Sequence, residues 1–103
     1  MSEAEDKTAA LLAQLWVKNL PIVEERLAVL DRAAAASGGL GEDLRTEAAQ
    51  AAHKLAGALG MYGYHEGTRI AREIEALLSG ERPNLARLGE LVAELRGAVF
   101  PKG

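Results

Sequence analysis

Apolar residues recur along this chain at intervals of three and four, with no run of strand-like alternation. Leu44, Ala48, Ala51, Leu55 and Leu59 fall on one face of a helix turning about 100° per residue. They predict a helix from about Glu42 to Gly60, followed by a turn over Met61 to Tyr64 in which Gly63 is free to adopt positive φ. Upstream, Leu11, Leu12, Leu15 and Trp16 form a first stripe, opened by Ser2-Glu3-Ala4-Glu5 in the form of a capping box. Leu20-Pro21 predicts a break, because proline is best tolerated in the first turn of a new helix. Leu20, Val23, Leu27, Leu30 and Ala34 mark the next helix, and Ser37-Gly38-Gly39-Leu40-Gly41 ends it. Downstream, Ile70, Ile74, Leu77 and Leu78 predict a helix from His65 to Ser79. After Gly80-Glu81-Arg82-Pro83, a last helix is lined by Leu85, Leu88, Val92, Leu95 and Val99.

Connections this short set neighbouring helices antiparallel. The expectation is an all-α protein: an antiparallel up-and-down four-helix bundle with an additional N-terminal helix, packed over one end of the bundle through Trp16. The 103 residues make one domain, 1–103. Its richness in Ala and Leu and its few aromatics agree with a helical fold. A formal net charge of −3 argues against nucleic acid as a partner, since neutralising phosphates needs a basic patch. The absence of cysteine excludes a disulfide framework and thiol chemistry. No apolar run is long enough to cross a bilayer and no signal-peptide pattern opens the chain, so a cytoplasmic protein with no membrane partner is expected, as a monomer.

The chemistry-bearing candidate is His53, roughly opposite the apolar stripe of its helix. Thr46, Ala49, Gln50, Ala56, Gly57 and Gly60 share its face, small residues for the most part where a solvated face would carry Glu, Lys and Arg. A glycine costs about 1 kcal/mol relative to alanine inside a helix, so Gly57 and Gly60 need a reason. One is that Gly60 begins the helix end and Gly57 admits a neighbouring helix. The other is that the face is bare so that another molecule can reach the imidazole.

If the hairpin turns near Tyr64, residues equally far from it sit at equal height on the two helices. His53 lies eleven positions before Tyr64 and Glu75 eleven after. A carboxylate at that height can accept Nδ1–H, fix the tautomer and leave the Nε2 lone pair outward as a nucleophile. Equally, Glu75 can be a surface residue paired with Arg72. A metal site lacks ligands, because His53 and His65 are the only histidines and no cysteine joins them. A hydrolase lacks a nucleophile–base pair, with Ser2, Ser37 and Ser79 all at element ends.

These residues carry a resemblance. His53, Leu55, Gly57 and Gly63 match the pattern of the histidine-containing phosphotransfer (HPt) family, helical bundles of bacterial two-component phosphorelays. The run from His53 to Tyr64 is especially similar to the phosphoacceptor domain of chemotaxis-type histidine kinases, and Glu75 falls where those domains place the glutamate that holds the histidine. The Leu20-Pro21 helix start and the last two helices extend the resemblance over nearly the whole chain. It departs from the family at Ala56, where a lysine usually stands to balance phosphoryl charge. That task would pass to Lys54 on the same helix or Arg72 on the facing one.

The resemblance implies a carrier and not a self-sufficient enzyme. His53 would be the phosphoacceptor, Glu75 its orienting partner, and Ala49, Gln50, Ala56, Gly57 and Gly60 the docking surface. The implied partners are a histidine kinase and a response-regulator receiver domain. No intrinsic cofactor is expected, Mg²⁺ coming with the receiver. The alternative is an inactive relative, a helical adaptor that binds receiver or kinase domains without being phosphorylated.

Overall fold

A computed structural model describes residues 3–36 and 39–100. It contains four helices: α1 (Glu3–Ala34), α2 (Glu42–Met61), α3 (His65–Leu78) and α4 (Leu85–Val99). The packed pairs among the described residues are α1 with α2, α2 with α3, α3 with α4, and α1 with α4, the closed ring of an up-and-down bundle. Val23, Leu27, Leu30, Leu55, Leu59, Ile74, Leu88 and Leu95 are fully buried at its centre. No helix among the described residues is long and apolar enough to cross a membrane.

The additional N-terminal helix is not separate. Residues 3–34 form one helix of 32 residues with Pro21 inside it, so the break expected at Leu20-Pro21 does not occur. Proline removes the hydrogen bond to the carbonyl four residues back and crowds it, a local cost of about 3 kcal/mol. Here that carbonyl belongs to Val17, and Val17 and Pro21 both lie on the exposed side of α1. Packing fixes the helix on either side of the defect. Trp16 lies against Tyr62 and Tyr64, with ring centroids 5.2 and 4.7 Å away, while Val23 is fully buried. The contact expected of Trp16 with the bundle end is therefore present, within a continuous helix. Ser2 of the capping box, with Ser37 and Gly38 of the loop, lies outside the described residues.

The turn between α2 and α3 sets the height of everything on those two helices. Gly63 takes φ 84°, Tyr64 N–H donates to the Leu59 carbonyl at 2.9 Å, and Gly63 N–H donates to the Gly60 carbonyl at 3.2 Å. This is a Schellman closure, in which a left-handed residue lets the chain satisfy the last helical carbonyls and reverse. At the other end of α3, Arg45 of α2 donates to the Leu78 carbonyl at 2.7 Å and also to that of Gly80. A cation at a helix C-terminus satisfies orphan acceptors and complements the helix dipole. Turn and clamp together hold α3 in register along α2.

Candidate functional site

His53 projects from the middle of α2 with 74% of its side chain exposed, and its Nδ1 lies 3.0 Å from Glu75 Oε2 on α3. An ionised carboxylate only accepts, so the contact selects the tautomer with the proton on Nδ1 and leaves a lone pair on Nε2. Glu75 is half-buried on the flank of α3 that faces α2, and it pairs with His53 and not with Arg72. The equal-height relation about Tyr64 thus has its counterpart in a direct contact. Ala49, Gln50, Lys54 and Glu75 line a shallow recess of about 320 Å³ with the imidazole.

Two of the expected docking residues lie elsewhere. Ala56 is only 5% exposed, and its carbonyl accepts a hydrogen bond from Thr68 Oγ1 at 3.0 Å. Gly60 is half-buried, and a Cβ placed on it would stand 3.4 Å from the same Thr68 oxygen. The reason is angular. At 100° per residue, Ala49, Ala56 and Gly60 fall on one side of His53 while Gln50, Lys54 and Gly57 fall on the other. Helix α3 packs on the first side, and Ala49 there is half-buried against the core. The open flank is the one toward α1: Gln50, Lys54 and Gly57 are exposed, and a Cβ on Gly57 would meet nothing within 4 Å. No helix of this bundle uses the bareness of Gly57.

The two candidate cations separate in the same way. Lys54 lines the recess with His53 and Glu75, whereas Arg72 is exposed outside it. Neither side chain makes an ion pair among the described residues. Arg69, also on α3, is committed to Glu66 and Glu73. That engagement holds the Glu66 carboxyl below its ordinary range, chiefly through the Arg69 hydrogen bond. On the α1 side, Ile22, Arg26, Val29, Glu47, Gln50 and Lys54 line a groove of about 260 Å³ that shares Gln50 and Lys54 with the histidine recess.

Sequence reasoning missed Thr68. The signal was nevertheless in the chain, because Thr68 stands four residues after Tyr64 and Gly60 four before. The relation that pairs His53 with Glu75 pairs these two as well. The groove on the α1 side carried no such signal, since it depends on which face of α2 meets α1.

With fold and site in place, comparison with known proteins gives the family. A family model described as the Hpt domain matches residues 9–99, and the chain belongs to that family. Hpt domains are phosphocarrier modules of histidine phosphotransfer in two-component phosphorelays, working with kinases and receivers. No curated protein and no solved structure matches the chain significantly.

Proposed function

We propose that this chain is a histidine phosphocarrier in which His53 Nε2 accepts a phosphoryl group and exchanges it with the aspartate of a response-regulator receiver domain. The observation that carries the reading is the 3.0 Å contact between His53 Nδ1 and Glu75 Oε2 on an otherwise open helix face. In the forward step the Nε2 lone pair attacks phosphorus, an N–P bond forms, and the bond from phosphorus to the donor carboxylate oxygen breaks. The electron pair of that bond leaves with the carboxylate. Nδ1 keeps its proton throughout, and Glu75 offsets the positive charge that the ring acquires. In the return step the N–P electron pair goes back to Nε2. No proton has to be transferred in either direction.

The receiver brings Mg²⁺ and most of the charge stabilisation at phosphorus. This chain contributes an oriented nucleophile and a surface that lets the donor approach to about 3 Å. Gln50, Lys54 and Gly57 form the near part of that surface, with the Lys54 ammonium on the histidine's open flank taking the place of the missing lysine. The likeness of the run from His53 to Tyr64 to chemotaxis-type kinases points to a phosphoacceptor of that kind.

The second reading, an unphosphorylated adaptor, draws on Ala56, whose buried methyl stands where the family usually has lysine. Incubation with a receiver phosphorylated on aspartate, in Mg²⁺, followed by mapping of acid-labile phosphate, separates them. We expect label on His53, none in His53→Gln, and full label in His65→Gln. Receiver binding without any label establishes the adaptor instead.

A further inference from the structure

The contact between His53 and Glu75 fixes more than the tautomer. The two nitrogens of an imidazole direct their bonds to opposite sides of the ring. With Nδ1 turned to Glu75 on α3, Nε2 faces away from α3, over the flank that carries Gln50 and Lys54. Long side chains on a helix also lean toward its N-terminus and cover the turn before their own Cα. The turn before His53 holds Ala49 and Gln50, and both line the recess of about 320 Å³ around the ring. Gly57, in the turn after it, does not. Lys54 leans the same way from one residue further on and lines the same recess. A group bound to Nε2 is thus delivered to the space between Gln50 and Lys54.

We propose that Gln50 is a catalytic residue of the transfer, its side-chain amide donating a hydrogen bond to a phosphoryl oxygen on Nε2. The inference rests on the phosphocarrier reading above and goes beyond the place of Gln50 on the docking surface. Residues three apart are neighbours on a helix, with about 5–6 Å between Cβ atoms, a gap that a glutamine amide spans. Gln50 is exposed and its side chain makes no hydrogen bond among the described residues, so both of its N–H donors are uncommitted. The group to be held needs donors, because a transferring phosphoryl spreads its charge over three oxygens. Ala56 offers none where the family usually has lysine, and Arg69 is committed to Glu66 and Glu73. Lys54 meets the group from one side only, and Gln50 stands on the other. In the step itself Nε2 forms its bond to phosphorus, and the bond to the donor oxygen breaks with its electron pair. Gln50 keeps both protons and acts on the oxygens alone. A receiver closing over the recess removes water from this hydrogen bond and strengthens it.

The test separates chemistry from docking by using two phosphodonors, phosphoramidate and a receiver phosphorylated on aspartate. Phosphoramidate needs no protein partner: Nε2 attacks its phosphorus, the P–N bond breaks, and the protonated amine leaves as ammonia. Label on His53 is followed by mass in the parent, Gln50→Ala and Gln50→Glu, with helicity checked in each. Gln50→Ala should react with phosphoramidate about fivefold more slowly, the size of one exposed hydrogen bond to a charged acceptor. Gln50→Glu keeps the shape but replaces the donor with a like charge, and should be about tenfold slower or worse. Both losses should grow with the receiver. Alkylation of His53 by iodoacetamide, which carries no phosphoryl oxygens, should be unchanged in Gln50→Ala. Parent-like rates with phosphoramidate, and a loss with the receiver alone, overturn the proposal and leave Gln50 a docking residue. An equal loss toward iodoacetamide also overturns it, because the effect is then on the ring. Label from the receiver but none from phosphoramidate keeps the carrier reading and overturns this one, since the recess then does not hold the group by itself. A parent labelled by neither donor overturns both.

Discussion

His53 and Glu75 stand eleven residues before and eleven after Tyr64, and they meet across the α2–α3 hairpin at 3.0 Å. Their contact is a property of the turn as much as of the two side chains. Both helices rise about 1.5 Å per residue, so a tight reversal at Tyr64 brings positions of equal distance to equal height. Glu75 then acts on the ring from the side, leaving the solvent-facing nitrogen clear.

Glu75→Ala should slow phosphorylation of His53 about tenfold while lowering stability little, because a pair this exposed contributes at most about 1 kcal/mol. Nitrogen chemical shifts of the imidazole read the orientation directly. The parent protein should hold its proton on Nδ1, and the variant should shift toward the Nε2–H form. A tautomer that does not change on substitution would remove the orienting role.

The two free cations should differ. Lys54→Ala is expected to reduce transfer about three- to fivefold, the size of one exposed charge interaction. Arg72→Ala, outside the recess, should change it by less than half of that effect. Equal losses, or a larger loss at Arg72, would show that the phosphoryl charge is balanced from α3.

Gly57 provides the cleanest separation of stability from function. Its surroundings are open, so Gly57→Ala should stabilise the protein by about 0.5–1 kcal/mol through helix propensity. Gly57→Gln should melt no lower than the parent, yet transfer from a receiver should fall at least tenfold because the longer side chain holds the partner away. A lowered melting temperature with normal transfer would refute the docking role.

Thr68→Val keeps the shape of the side chain and deletes the bond to the Ala56 carbonyl. A loss of about 1 kcal/mol is expected in denaturant unfolding. Looser register between α2 and α3 should also appear as a weaker His53–Glu75 contact, read by the same nitrogen shifts. A destabilised variant with an unchanged imidazole signal would limit Thr68 to holding the helices together.

Most of the helix limits were legible in the chain, because spacing, caps and turn residues act locally. The runs through Leu44–Leu59, Ile70–Leu78 and Leu85–Val99 reappear as α2, α3 and α4. The junction at Pro21 was misread for the same reason that the others were read well. Local preference opposes a helix there, and only contacts distant in sequence, Trp16 with Tyr62 and Tyr64, outweigh it.

By itself the sequence determined the height of His53, Glu75, Gly60 and Thr68 along their helices, since counting from the turn at Tyr64 requires no knowledge of packing. It also determined that His53 faces away from the apolar stripe. Which flank of His53 stays open was decided only by the tertiary structure. Periodicity gives each residue an angle about its own helix axis, but not the direction from which a neighbouring helix arrives. Here α3 comes in on the side of Ala56 and Gly60, Thr68 bonds there, and Gly57, Gln50 and Lys54 are left for whatever approaches the imidazole.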